Sequence, residues 1–224
     1  MTTINTNLSS LNAQRNLTKS AGELSTSMQR LSSGLRVNSA KDDAAGMSIA
    51  TKMDSQVRGM TQASRNANDG ISLIQTADGA LSNIGDALQR IRELAVQGSN
   101  ATNGTDEWKN IDTEVQELNK EIARIAKDTK FNGNAVLSAT AATKNIQVGA
   151  DSGQTITVSF GSNTAFAGLT VAAMTDATTS AAALAQVDGA LTALNTERAS
   201  LGTAQNRMGY AISNLATSIE NQSA

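Results

Sequence analysis

Apolar residues recur in steps of three and four over most of this chain. That spacing predicts amphipathic helices. In residues 3–35 the steps begin at Ile4, Leu8 and Leu11, slip, and resume through Leu17, Ala21, Leu24, Met28, Leu31 and Leu35. This is a heptad seam with a stutter, set among Ser, Thr, Asn and Gln. A helix this polar is marginal alone and needs a partner. A second seam runs from Ile49 through Met60, Ile74, Leu81, Leu88 and Ile91 to Ala95. It predicts one helix of about 55 residues, roughly 80 Å long, the dimension of a rod or coiled coil. Ser39 with Asp42 reads as its capping box, and Asp43 as negative charge in its first turn.

"GSNATNGT" (98–105) is a turn by composition. A third helix then starts with Thr105 as N-cap and runs through Trp108, Ile111, Val115, Leu118, Ile122 and Ile125, with Gly133 as its stop. The short turn brings it back antiparallel to the second. The period then changes. "NIQVGA" and "TITVSF" alternate around "DSGQ" and predict a β-hairpin, and "GSNTAFAGLTV" suggests a further short strand. From Ser180 onward a helix returns, with Leu184, Val187, Leu191, Leu194, Arg198, Leu201, Gln205, Met208, Ile212, Leu215 and Ile219 as its seam. Arg198 and Gln205 read there as polar seam residues that set register. The fold class is therefore mainly α, a long antiparallel helical rod or coiled-coil bundle with a small β-hairpin region. Its segments are residues 1–42, 43–128, 129–179 and 180–224.

Composition narrows the chemistry. The 224 residues include no Pro, Cys or His, and aromatics make up 2%. Leu, Ile, Val, Met and Ala must build the core. The commonest general base, the thiol nucleophile and most zinc ligands are missing. A net charge of −2 gives no footprint for nucleic acid. No apolar run reaches the ~18 residues that a membrane span needs. Asp42/Asp43 and Asp106/Glu107 fall at predicted helix starts, where capping accounts for them. No phosphate loop or dinucleotide fingerprint is present. The reading is of a non-enzyme with no catalytic residue, cofactor or metal.

Four blocks carry a resemblance. They are "INTNLSSLNAQRNL" with "LSSGLRVNSAKDDAAGMSIA", "SRNANDGISLIQTADGALSNIGDALQRIRELAVQ", "FNGNAVL" with "NIQVGADSGQTI", and "LGTAQNRMGYAISNL". In this order they resemble bacterial flagellin. The resemblance implies a flagellar filament protomer, exported through the flagellar type III apparatus, polymerising with other flagellin subunits and located outside the cell. It assigns residues 1–42 to an inner-core arm and spoke, and 43–128 and 180–224 to outer-core helices, with minimal outer domains between. A hook–filament junction protein is the nearest alternative. A flagellin continues past "AISNLATSIENQSA", so the resemblance also implies a shortened C-terminus, and a seam over residues 3–35 without its usual partner. Ser138, Thr140, Thr143, Ser162 and Thr164 are candidate acceptors for O-linked sugars.

One flank stands out in "QRIRELAVQ". Leu94 falls about 100° from the centre of the Leu81–Ala95 seam, and Arg90 and Gln97 lie further round the same side. Composition places Leu94 at the rim of the helix pair, with Arg90 and Gln97 solvated. The resemblance implies a recognition surface here, made of Arg90, Leu94, Gln97 and Glu114. It would contact neighbouring protofilaments or, on free monomer, the vertebrate Toll-like receptor for flagellin.

Overall fold

The computed structural model describes residues 7–137, 143–160 and 170–224. They form two units, divided between Gln56 and Val57.

The first unit begins with α1 (Leu8–Ser33). Asn7 caps its start, its side chain accepting from the Ser10 N–H at 3.2 Å. Gly34 ends it at φ 69°, where a side chain would be strained, and donates its N–H to the Arg30 carbonyl at 2.9 Å. No residue of α1 is buried, and Leu17, Leu24, Met28 and Leu31 of its seam face solvent. The turn that follows departs from the sequence reading. The Asp42 carboxylate accepts from the Ser39 N–H and hydroxyl and from the Asn38 N–H. These bonds, the Ser39 hydroxyl first, lower its pKa. Because Asp42 is occupied with the turn behind it, Asp43 does the capping. Its carboxylate takes the Gly46 N–H at 2.8 Å, and α2 (Ala44–Gly98) starts one residue later than Asp43.

The second unit holds α2 from Val57 on, α3 (Thr105–Asp128), β1 (Lys130–Phe131), β2 (Asn134–Ala135), β3 (Thr143–Gln147), β4 (Thr155–Ser159) and α4 (Ala177–Ser223). Helix α4 runs antiparallel to α2. Asp188 meets Arg92, Leu194 lies against Gly85, Arg198 meets Asp78, and Met208 lies against Gly70. Helix α3 also runs antiparallel to α2, its Trp108 indole N–H donating to the Gly98 carbonyl at 2.8 Å. Leu81, Ile84, Leu88 and Ile91 of α2 are enclosed by Ile111, Val115 and Ile122 of α3 and by Val187, Leu194 and Leu201 of α4 in one apolar core. Burying a Leu or Ile completely is worth roughly 1.5–3 kcal/mol, so this stripe dominates the stability of the unit.

The α4 seam corrects the sequence reading at every second position. Val187, Leu194, Leu201 and Met208 are buried as expected, but their companions are Ala183, Ala190, Glu197 and Ala204. Each lies one residue before the expected Leu184, Leu191, Arg198 and Gln205. The three alanines let the helix axes approach, while Leu184, Leu191, Arg198 and Gln205 at the next positions stay half-buried or exposed. Arg198 is therefore no buried register residue. Its guanidinium reaches Asp78 on the surface at 2.7 and 3.4 Å.

The hairpin β3–β4 forms as expected, with Asn145 opposite Thr157 and Ile146 opposite Ile156. Ile156, Val158 and Phe160 alternate inward. The Gln147 amide donates to the Gly149 and Asp151 carbonyls and organises the loop. The hairpin rests on α2, where the Asn66 amide donates to the Gln147 carbonyl at 3.3 Å. Gly133 is not the helix stop. Helix α3 ends at Asp128, and Asn132 and Gly133, at φ 49° and 78°, form the two-residue type I′ turn that pairs β1 with β2. Of the suggested further strand, residues 161–169 lie outside the described residues. Val171 and Met174 are buried in a segment without regular structure that is tied down by side chains: Asn119 bonds both the N–H and the carbonyl of Val171, and Asp112 takes the Met174 N–H.

Candidate protein-recognition surface

Two rigid helices and the loop between them position this surface. At the C-terminal end of α2 the Gln97 carbonyl accepts from the Asn103 amide at 2.6 Å and the Asn100 N–H at 3.2 Å. The Glu107 carboxylate takes the Gly104 N–H at 3.0 Å and opens α3. The Trp108 bond to Gly98 closes the corner.

That corner fixes Arg90 against Glu114. The Arg90 Nε lies 2.9 Å from the Glu114 Oε1, and a second nitrogen lies 3.1 Å from the Glu93 Oε2. The hydrogen bonds that Arg90 donates, to Glu114 first and Glu93 second, push the guanidinium pKa up, so its charge is constant over any physiological pH. The Arg90 and Glu114 side chains are 50% and 45% exposed. The Gln97 side chain is also exposed. Three of the four expected residues thus lie open to solvent, two of them bonded to each other.

Leu94 does not join them. It is 2% exposed and belongs to the core. The expectation of a rim position assumed one partner for α2. In the structure α2 has two, and a second buried stripe of Leu73, Ala80 and Leu94 at heptad spacing accompanies the first. The apolar residue that does reach solvent in this stretch is Val96, at 52%. Glu93 was also missed, although its i,i+3 spacing from Arg90 is a readable signal. Arg92, on the other side of α2, pairs with Asp188 of α4 at 2.7 Å.

The surface offers fixed charge, amide hydrogen bonding and a small apolar contact. Among the described residues, no group of three or more Asp and Glu side chains could hold a metal ion. No described helix is long and apolar enough to cross a membrane. Of the candidate sugar acceptors, Thr143 is exposed at the start of β3, and Ser138, Thr140, Ser162 and Thr164 lie outside the described residues.

Comparison with known proteins identifies the frame that carries this surface. The family model for the bacterial flagellin N-terminal helical region matches residues 4–142, and that for the C-terminal helical region matches residues 184–224. The chain belongs to the flagellin family. It is 56% identical over 155 residues to the phase 1 flagellin of Salmonella naestved, covering 69% of this chain and 30% of that protein. The flagellin of Salmonella dublin gives the same identity and coverage. The chain therefore spans about a third of the length of the curated relatives it matches. The crystal structure of Bacillus cereus flagellin is similar with a TM-score of 0.62 and 35% identity, covering 67% of this chain and 88% of that one. FliC from Burkholderia pseudomallei shares the fold, with a TM-score of 0.53 and 20% identity. Helix α2 is buried on two sides because three helices share one core, and each of the three keeps an outer sector exposed.

Proposed function

We propose that this chain is a structural protomer of the bacterial flagellar filament, exported through the flagellar type III apparatus and assembled with other flagellin subunits outside the cell. The observation that carries the reading is the pair of family matches, one at each helical end, bracketing a short hairpin region. Long helices that share one apolar core and hold fixed charge on the surface suit assembly with other subunits. The test is expression with an epitope tag in a flagellin-deficient bacterium supplied with full-length flagellin. Immunogold label along the filament supports the reading. Label confined to the filament base favours a hook–filament junction protein, and no label on any flagellar structure overturns both.

Free monomer would be recognised by the vertebrate Toll-like receptor through Arg90, Glu114 and Gln97. Leu94 supports them from beneath by fixing the helix face, and the exposed Val96 is a candidate apolar contact beside them. Arg90 is of the type that dominates interfaces, because its planar guanidinium makes several directed bonds. Binding of the purified chain to the receptor ectodomain tests this second role. No measurable binding by the intact chain would refute it.

A further inference from the structure

The chain contains two Asn–Gly pairs, Asn103–Gly104 and Asn132–Gly133. We propose that Asn132 is a site of spontaneous deamidation and isoaspartate formation, while Asn103 is protected by its surroundings. The reaction needs the backbone nitrogen of the following residue to reach the asparagine Cγ, and glycine is the residue that obstructs this least.

The two pairs differ in how firmly the reacting atoms are held. At Asn103 both are tied. The Gly104 N–H is bonded to the Glu107 carboxylate at 3.0 Å, and the Asn103 amide nitrogen donates to the Gln97 carbonyl at 2.6 Å. The attacking nitrogen and the leaving amide are thereby fixed to groups on two different helices. At Asn132 nothing comparable holds them. Asn132 and Gly133 are exposed, a Cβ at Gly133 would meet open space, and among the described residues no group bonds the Gly133 N–H or the Asn132 carboxamide. The turn is closed by two strand pairs, Phe131 with Asn134 and Lys130 with Ala135, and by one further bond from the Val136 N–H to the Thr129 carbonyl at 3.0 Å. A ladder this short is marginal. It offers little resistance to the rotation about the Asn132–Gly133 backbone that brings the nitrogen onto Cγ.

The chemistry balances with water as the sole co-reactant. Solvent hydroxide takes the Gly133 amide proton, and the nitrogen forms a bond to Asn132 Cγ. The Cγ–Nδ2 bond breaks, and ammonia leaves with a proton from solvent. Water then opens the cyclic imide. Addition at the Cγ carbonyl gives aspartate, and addition at the backbone carbonyl gives isoaspartate, which carries an extra methylene in the main chain. Nothing is oxidised or reduced. Either product adds a negative charge to the turn. Isoaspartate also lengthens a two-residue turn that holds register only at its present length, so β1 and β2 part.

The test is to incubate the full chain, folded and in concentrated urea, at neutral and mildly alkaline pH. Conversion at each site is followed by peptide mass spectrometry and by labelling with an isoaspartyl methyltransferase. In urea the two sites should react alike. In the folded chain Asn132 should convert several-fold faster than Asn103, and faster still at the higher pH. Glu107→Gln loosens the hold on Gly104 and should raise the rate at Asn103 without changing that at Asn132. Equal rates at the two sites in the folded chain, or faster conversion at Asn103, would overturn the proposal.

Discussion

Arg90 and Glu114 are bonded across the α2–α3 pair, Nε to Oε1 at 2.9 Å, and each side chain keeps about half its surface in water. A pair this exposed adds little to folding, because solvent screens it and both side chains lose freedom. It does fix the guanidinium in one orientation. Arg90→Ala should therefore leave the urea midpoint almost unchanged while weakening receptor binding at least several-fold. Arg90→Lys keeps the charge but loses the planar fork, and should recover only part of the loss. Paired urea titration and receptor-binding measurements check both. Unchanged affinity in Arg90→Ala would remove Arg90 from the recognition surface.

Leu94 separates packing from recognition. Truncating this core side chain in Leu94→Ala should cost about 2–5 kcal/mol, seen as a lowered urea midpoint. Leu94→Met conserves volume and should cost less than about 1.5 kcal/mol. If Leu94 acts only from beneath, Leu94→Met should bind receptor like the parent at temperatures where both are folded. A large loss of affinity in a stable Leu94→Met chain would show that this side chain touches the receptor after all.

Two glycines of α2 predict opposite signs for one substitution. A Cβ at Gly98 would lie 2.5 Å from the Ser180 hydroxyl, which is itself bonded to the Asp176 carbonyl at 2.8 Å and cannot easily move. Gly98→Ala should destabilise by about 1–3 kcal/mol through overpacking. A Cβ at Gly79 would meet nothing within 4 Å. Gly79→Ala should stabilise by roughly 0.5–1 kcal/mol, since alanine loses less backbone entropy in a helix. Thermal melts followed by circular dichroism should therefore shift in opposite directions.

The hydrophobic period makes the existence and direction of the long helices readable, because each crosses many turns with large apolar residues at regular steps. It fails where a helix has more than one neighbour. Leu94 looks peripheral when one seam is sought, yet α3 and α4 together bury two stripes of α2. It fails again where packing prefers small residues. Ala183, Ala190 and Ala204 occupy every second buried position over much of α4, and no hydrophobicity rule ranks alanine above the adjacent Leu184 or Leu191. The Ser39–Asp42 spacing is ambiguous, because the same side-chain bond serves a turn as well as a helix start. The charged part of the candidate surface was legible only by resemblance. Nothing in the spacing joins Arg90 to Glu114 until the loop folds α3 back.

The start of α4 carries a pH dependence. Asp176 accepts the Thr179 N–H at 2.7 Å. The backbone bond from Thr179 is the main cause that lowers its pKa below the ordinary 3.8. A carboxylate whose pKa falls on folding stabilises fully above its unfolded value and loses that contribution as pH drops through the folded value. The cap should thus hold unchanged from neutral pH down to about the ordinary value and weaken in more acidic solution. Asp176→Asn keeps an acceptor for the Thr179 N–H at every pH but lacks the charge that favours a helix N-terminus. The parent should be the more stable at neutral pH, and the gap should narrow as pH falls below 3.8. Urea titrations of the two chains across that range measure the difference directly, free of the other carboxylates they share. A gap that stays constant through acid would mean that Asp176 does not cap α4 as an anion.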